Sequence, residues 1–176
     1  MSERAEVRVR RAEAGDASAL PVIEAAAGER FRTIPDLAFV ADHDPAFDPA
    51  ILGPALAEGR VWVAEAKDGL VGYALALDLD GQPHLEQISV LPAWSGRGVG
   101  RALIDAVAAW AAGRGEWLTL ATYRDVEWNA PLYAHLGWRV LPESAVLADP
   151  RLVAVREEEA THGLDPDARV FMRLAV

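Results

Sequence analysis

The stretch WSGRGVGRALI, residues 94–104, constrains the fold most strongly, because glycine occupies every second position directly before an amphipathic helix. Glycine adopts torsions that other residues rarely adopt and lets backbone N–H groups approach a ligand closely. The start of a helix adds unpaired N–H donors and the positive end of its dipole. The stretch therefore predicts an anion site. A turn that only tightens a strand-to-helix joint is the alternative that these residues leave open.

The order of the remaining elements predicts an α/β fold, a mixed sheet flanked by helices. The first predicted element is a strand at 7–12, followed by a helix from Asp16 or Ser18 to Gly28. Irregular chain is predicted over 33–57, with one short helix near 50–58. Two strands joined at Asp68-Gly69 and a third strand at 81–91 precede the glycine stretch. The helix after that stretch is predicted to stop at Gly113 or Gly115.

The C-terminal third continues with strands and helices in alternation. Strands are predicted at 117–122, 138–141 and 168–176, with a short helix at 129–137 and a longer one at 151–163. At 176 residues the chain has the length of one domain, and we expect residues 1–176 to form a single domain.

Composition excludes several classes of function. The chain has no cysteine, which removes thiolate catalysis and cysteine zinc sites, and its four histidines show no metal-binding spacing. We therefore expect no metal. The net charge of -10 argues against nucleic acid as a partner and mildly favours a cationic substrate. The sequence shows neither a signal peptide nor a long apolar run, so we expect a cytoplasmic protein with no membrane partner.

Two other phosphate-binding motifs do not fit the glycine stretch. The dinucleotide motif G-x-G-x-x-G fails because Leu103 or Arg101 occupies the third glycine position. A Walker loop requires Gly-Lys followed by Ser or Thr, which this chain lacks.

The segment SVLPAWSGRGVGRALIDAVAAWA resembles the acetyl-CoA signature of the GNAT acetyltransferase superfamily. In that signature a strand and a proline precede Q/R-x-x-G-x-G/A at the start of a helix. Gly98 and Gly100 match it, whereas Ser95 stands where the family usually has Arg or Gln. This departure matters little if backbone amides hold the ligand.

A second signature follows about thirty residues later. WNAPLYAHLGW resembles the family pattern in which a tyrosine lies four residues before a Gly-aromatic pair, here Tyr133, Gly137 and Trp138. Asn129 resembles the asparagine that some members use to hold the cofactor arm. Two signatures in the expected order indicate a GNAT protein.

The resemblance implies the GNAT fold, a mostly antiparallel central sheet with two parallel strands that splay apart, and acetyl-CoA bound between those strands. It assigns the pantetheine to the main chain of one strand and the pyrophosphate to the glycine stretch. The residues so implied in cofactor binding are Ile88, Ser89, Val90, Ser95, Gly96, Arg97, Gly98, Val99, Gly100, Arg101, Asn129 and Tyr133.

The resemblance also implies N-acetyl transfer to a primary amine of a small molecule or peptide, directly in a ternary complex. Glu86 is the candidate base, because strand alternation puts it beside Ile88 and Val90. Tyr133 is the candidate acid, because a phenol titrates near ~10, close to a thiol at ~8.5. Neither role follows from the residue alone, since a strand-end glutamate pointing into solvent and a tyrosine that serves only in packing are the common alternatives.

In the superfamily the acceptor lies where the first helix and the loop after it face the central strands. Here this region is roughly 24–48. An ammonium group would be attracted by Glu29 or Asp36 and its stem would pack on Phe31 or Phe39. The substrate residues we predict are Glu29, Phe31, Trp62, Tyr73 and Tyr123.

Three alternative functions remain open. One alternative is a non-catalytic acyl-CoA-binding or regulatory domain. The presence of both Glu86 and Tyr133 argues against it, because a protein that only binds acyl-CoA needs neither residue. As an enzyme, it would use a longer acyl donor or an oxygen acceptor. Homodimers are common among relatives, and we keep a homodimer as a prediction without assigning its surface.

Overall fold

The computed structural model describes residues 6–42 and 48–176. In these residues seven strands form one mixed sheet: β1 (Arg8–Arg11), β2 (Val61–Ala66), β3 (Gly69–Leu79), β4 (Gln82–Val90), β5 (Trp117–Tyr123), β6 (Arg139–Val140) and β7 (Arg169–Ala175). The strand order is β1-β2-β3-β4-β5-β7-β6. The predicted α/β class, a mixed sheet flanked by helices, is confirmed.

Six α-helices accompany the sheet in the described part of the chain. They are α1 (Leu20–Gly28), α2 (Pro49–Ala57), α3 (Val99–Ala111), α4 (Ala130–His135), α5 (Glu143–Ala148) and α6 (Pro150–Thr161). Short 3-10 segments occupy Ala14–Ala19, Glu29–Thr33, Pro35–Asp42, Pro92–Trp94 and Pro166–Ala168. None of the described helices combines the length and the apolar character that crossing a membrane requires.

The chain packs as two compact units. The first contains the described residues up to Ala76 together with Glu86–Val107, and the second contains Leu77–Leu85 and Ala108–Val176. Strands β3 and β4 and helix α3 each contribute residues to both units. The expectation of a single domain over residues 1–176 stays a prediction.

The first unit is built on an antiparallel meander. β1 pairs with β2, and β2 pairs with β3 across the Asp68-Gly69 turn. Gly72 on β3 lies so close to the next strand that a Cβ there would be 2.9 Å from the Ser89 carbonyl oxygen and 3.3 Å from Leu103 of α3. A side chain at position 72 would therefore push the strand or the helix away, and glycine allows both to pack closely.

The second unit pairs β5 with β7 and β7 with β6, both antiparallel. Its apolar core includes Val146 of α5, Leu152 of α6 and Phe171 of β7. β4 pairs with β5 in parallel through His84 and Thr119. The sheet thus contains the change from antiparallel to parallel pairing that the resemblance implies.

Three predicted elements differ from the structure. The helix expected from Asp16 or Ser18 begins at Leu20, because the chain first makes a 3-10 turn that Asp16 closes by accepting the Glu13 N–H at 2.8 Å. The stretch 33–57, expected to be irregular, contains the 3-10 segment Pro35–Asp42 before α2, while 43–47 lies outside the described residues. Helix α5 was not predicted, because its 6 residues between Pro142 and Asp149 make fewer than two turns.

His84 is fully buried at the β4–β5 pairing. The Thr119 hydroxyl donates to the Pro83 carbonyl at 3.2 Å, so its oxygen accepts the Nδ1–H of His84 at 2.9 Å. Burial, with a smaller contribution from the nearby Arg169 charge, lowers the pKa of His84 to about 4. The imidazole is therefore neutral at physiological pH.

We expect acid to destabilise the fold through this residue. A pKa lowered from 6.5 to about 4 stabilises the protein above pH 6.5, and this contribution is lost as the pH falls toward 4. Between pH 7 and pH 5 the free energy of unfolding should fall by about 2 kcal/mol on account of His84. Urea unfolding of the parent and of His84→Asn, which keeps an N–H donor but does not titrate, measures the difference. An equal loss in both proteins would show that His84 does not carry the effect.

Candidate functional site

The glycine stretch forms an open turn at the start of α3. Gly96 and Gly98 have positive φ angles of 73° and 85°, which glycine adopts without strain. No heavy atom lies within 4 Å of the position that a Cβ would take at either residue. The N–H of Ala102 is bonded to the Gly98 carbonyl at 3.0 Å, so the N–H groups of residues 99–101 have no acceptor within the helix. Three backbone donors therefore lie together beside an open turn.

Gly100 differs from the two glycines before it. It lies inside α3 without a positive φ, and a Cβ there would meet Val90 Cγ2 at 3.9 Å, an ordinary contact. The fold thus does not require glycine at position 100.

Two exposed arginines give this turn positive charge in an acidic protein. Arg97 lies over the Trp94 ring, with its guanidinium carbon 5.3 Å from the ring centroid, and Arg101 is on the first turn of α3. Stacking on an aromatic face limits the freedom of a guanidinium. The turn therefore combines backbone donors, a helix start and two cations.

The two faces of β4 have different surroundings. Ser89 and Gln87 contact Glu24 of α1, whereas Val90 Cγ2 lies near Gly72 and Gly100 on the side of α3. Strand alternation places Glu86 on the same face as Val90. The predicted grouping of Glu86, Ile88 and Val90 on one face and the role of Glu86 as a base both stay predictions.

Tyr133 lies on α4, and Gly137, two residues beyond the end of this helix, has a φ of 95°. Its ring meets Trp138 edge to face with centroids 5.7 Å apart. The ring is half-buried, and burial raises the pKa of the Tyr133 phenol to about 12. Its hydroxyl has no hydrogen-bond partner among residues 6–42 and 48–176. The phenol is therefore protonated at physiological pH and available to a ligand.

Asn129 precedes α4 and is oriented by Thr122 of β5. The Thr122 hydroxyl donates to Asn129 Oδ1 at 2.6 Å. This bond leaves the amide NH2 group as the part of the side chain that can donate to a ligand. The predicted contact of Asn129 with a cofactor arm is compatible with this orientation.

The predicted substrate residues differ in their surroundings. Tyr73 is fully buried and donates to Glu24 Oε2 at 2.7 Å, and Trp62 is buried with the Arg11 guanidinium carbon 5.3 Å from its centroid. Tyr123 belongs to the second unit, where burial raises the pKa of its phenol and Arg169 lies over its ring. Glu29 is exposed and bonded to Arg32. The remaining residue, Phe31, is half-buried.

Sequence reasoning missed three residues that shape these sites. The Trp94 ring stacks under the Arg97 guanidinium, and Thr122 donates a hydrogen bond that orients Asn129. Glu24 of α1 accepts hydrogen bonds from residues of two strands. Trp94 was within reach of sequence reasoning, because it lies inside the first signature and close to an arginine. Contacts of Thr122 and Glu24 depend on register and helix packing, for which no local signal exists.

These features define a class of protein: an α/β domain in which a meander leads through a glycine turn into a helix. Residues 57–140 match the family model described as an acetyltransferase (GNAT) domain. This part of the chain therefore matches a GNAT acetyltransferase domain, and the resemblance indicated by the two signatures is confirmed.

Solved structures have the same fold. The PaiA N-acetyltransferase of Thermoplasma acidophilum, in complex with coenzyme A, is 11% identical with a TM-score of 0.69, covering 97% of this chain and 99% of that one. A Mycobacterium tuberculosis protein in complex with CoA is 20% identical with a TM-score of 0.64, covering 96% and 99%. A GCN5-related N-acetyltransferase from Rhodopseudomonas palustris is 24% identical with a TM-score of 0.62, covering 77% and 82%. The GNAT fold is thus confirmed.

Proposed function

We propose that this protein is an acetyl-CoA-dependent N-acetyltransferase that acetylates a primary amine of a small molecule or peptide. The observation that carries the proposal is the turn before α3. Two glycines with positive φ, three helix N–H groups without helical acceptors, and two arginines suit a diphosphate. The Thermoplasma and Mycobacterium proteins of the same fold were crystallised with coenzyme A.

The residues present fit that cosubstrate. The open space beside Gly96 and Gly98 admits a ligand to the backbone. The resemblance implies that Asn129 holds the cofactor arm. The main chain of Ile88, Ser89 and Val90 would hold the pantetheine, and residues 95–101 the diphosphate. Acetyl-CoA, when bound, supplies the activated acetyl thioester.

This chain's own residues would manage the protons. Glu86 takes a proton from the amine, directly or through water, because a protonated amine has no lone pair with which to attack. Tyr133 returns a proton to the sulfur when the carbon–sulfur bond breaks. Its raised pKa keeps the phenol protonated over the whole working range of pH. The same shift takes the phenol further from the pKa of a thiol, so it lowers the driving force for this proton transfer. Transfer is direct, since the chain has no cysteine to form an acyl-thioester with the enzyme.

The test is release of free CoA thiol from acetyl-CoA across a set of primary amines, followed with a thiol reagent. Amine-dependent release identifies the N-acetyltransferase. Binding of acetyl-CoA without release of CoA thiol in the presence of any acceptor would favour a non-catalytic binding domain. Release only with alcohols would indicate an O-acyltransferase, and release only from longer acyl-CoA donors would indicate a different acyl preference.

The proposal also places the protein in the cytoplasm and keeps the homodimer as an expectation. Sedimentation of the full-length protein measures its mass in solution. A mass of about twice the 19.0 kDa of one chain would support the dimer.

A further inference from the structure

Arg97 of the glycine turn contacts the ring of Trp94. Its guanidinium carbon lies 5.3 Å from the ring centroid. Trp94 is half-buried and ends the 3-10 segment Pro92–Trp94, and its N–H is bonded to the Leu91 carbonyl at 2.8 Å. All of these residues belong to the first unit. The fold therefore holds the ring in place, and the Arg97 guanidinium lies over it.

The backbone beside Arg97 does little to orient its side chain. Both neighbours, Gly96 and Gly98, have positive φ angles and no heavy atom within 4 Å of their Cβ positions, and Arg97 itself is exposed. A long side chain in such open surroundings loses rotamer entropy when a ligand fixes it. The contact with the Trp94 ring reduces that loss, because it restricts the guanidinium before a ligand binds.

Neither arginine of the turn has an acidic partner, although the protein carries a net charge of -10. Within residues 6–42 and 48–176, no carboxylate forms an ion pair with Arg97 or Arg101. Other arginines of the protein do form ion pairs, namely Arg10, Arg32, Arg60, Arg151, Arg156 and Arg169. The two charges at the open turn are thus not neutralised by the described part of the chain.

The ring contact leaves the hydrogen-bond donors of Arg97 available. A guanidinium has five N–H groups in one plane, and a pair of them matches two oxygens of a phosphate. An aromatic face attracts the cation without supplying an oxygen acceptor. The Arg97 guanidinium donates no hydrogen bond to the residues that the structure describes. Arg97 therefore combines a restricted position with free donors.

We propose that Trp94 is a positioning residue for the acyl donor: its ring holds the Arg97 guanidinium beside the open turn, where the guanidinium pairs with a phosphate of the donor. This rests on the proposed function. The Trp94–Arg97 pair then contributes to binding only for donors that carry phosphate, such as acetyl-CoA. It contributes nothing for a phosphate-free thioester such as acetyl-pantetheine.

A double-mutant cycle on the full-length protein tests whether Trp94 acts through Arg97. Calorimetry with acetyl-CoA should show a Kd about 10-fold higher in Arg97→Ala, the loss of a charge-assisted hydrogen bond. Trp94→Ala should raise Kd about 5-fold, the size of an exposed cation–π contact. The double variant should bind no more weakly than Arg97→Ala alone. A further 5-fold loss in the double variant would show that Trp94 acts independently and would overturn the proposal.

Three variants serve as controls. Trp94→Phe keeps an aromatic face and should stay within about two-fold of the parent, whereas Trp94→Leu keeps an apolar side chain without that face and should lose about 5-fold. Arg114→Ala removes an exposed arginine that also lies over a tryptophan ring, 5.0 Å from the Trp110 centroid, and should leave the affinity unchanged. Parent affinity in Trp94→Leu would show that the ring face is not needed and would overturn the proposal.

Steady-state thiol release separates positioning from a general structural role. With acetyl-CoA, Trp94→Leu should raise KM about 5-fold and leave kcat unchanged. With acetyl-pantetheine, kcat/KM of Trp94→Leu should equal that of the parent. An equal loss with both donors would show that Trp94 only supports the fold, which would overturn the proposal.

Inorganic pyrophosphate, which carries no acyl group, separates this inference from the proposed function. The parent should bind it in calorimetry, and Trp94→Leu should bind it about 5-fold more weakly. Binding that depends on Trp94, without thiol release from any acyl-CoA, would refute the acetyltransferase but keep the Trp94–Arg97 pair. Equal affinities of parent and Trp94→Leu for pyrophosphate and for acetyl-CoA would refute the role of the pair, whatever the activity. A parent that binds neither ligand would refute both proposals.

Discussion

Replacing Gly100 with valine should weaken acetyl-CoA binding by about 100-fold or more. In the proposed complex the backbone at the start of α3 approaches the diphosphate, and a branched side chain at position 100 prevents that approach. Loss of two hydrogen bonds to a charged group, at about 1.5–3 kcal/mol each, accounts for a factor of this size. Isothermal titration calorimetry with acetyl-CoA measures it.

The structure makes this variant informative because position 100 has room for a Cβ atom. A Cβ there meets only Val90 Cγ2, at 3.9 Å, and the φ angle is not positive. Gly53 of α2 provides the matched control, since it is also helical and has no heavy atom within 4 Å of its Cβ position. Gly53→Ala should gain up to about 1 kcal/mol of stability without changing the affinity for acetyl-CoA. Unchanged affinity in Gly100→Val would contradict the placement of the cosubstrate.

Replacing Tyr133 with phenylalanine should lower kcat about 100-fold and leave the Kd of acetyl-CoA nearly unchanged. The hydroxyl is the only group removed, and general acid catalysis contributes about 10²- to 10⁴-fold. Because the Tyr133–Trp138 contact involves the ring, phenylalanine preserves the packing. Steady-state thiol release gives kcat, and calorimetry gives the affinity.

The pH dependence adds a second check on Tyr133. Burial disfavours the phenolate and raises the pKa to about 12, so the acid form persists well above pH 10. The alkaline side of the kcat profile should therefore show no loss attributable to Tyr133 below about pH 10. A Tyr133→Phe variant as fast as the parent would remove the assigned role. If kcat of the parent falls near pH 9 and kcat of Tyr133→Phe does not, the phenol of Tyr133 titrates at a lower pH than the structure indicates.

Much of the fold was predictable because local patterns determine it. The Asp68-Gly69 turn between apolar runs predicts the β2–β3 hairpin, and the apolar spacing after Gly100 predicts α3, where Leu103 and Val107 are fully buried. The start of α1 was misplaced because a capping pattern at Asp16 closes a 3-10 turn as readily as an α-helix. Helix α5 is too short for a periodic signal.

The candidate site divides in the same way. Glycines with positive φ are visible in a sequence as motif positions, and Gly96 and Gly98 have such angles in the structure. The hydrogen bonds of Glu24 join residues up to 65 positions apart in the sequence. They form only because α1 packs on β3 and β4. Likewise, the pKa of Tyr133 follows from burial, so the sequence predicted only its ordinary value. Backbone geometry within one loop was foreseeable, whereas contacts assembled from several elements were not.

In the proposed complex, backbone amides at the start of α3 bind the diphosphate of coenzyme A. Nitrogen-15 NMR of the full-length protein, titrated with acetyl-CoA and separately with pantetheine, tests it most directly. Amide resonances of residues 98–101 should shift to saturation with acetyl-CoA and stay in place with pantetheine, which has no diphosphate. Saturable binding of acetyl-CoA that leaves the amides of Gly98 and Gly100 unmoved would contradict the account.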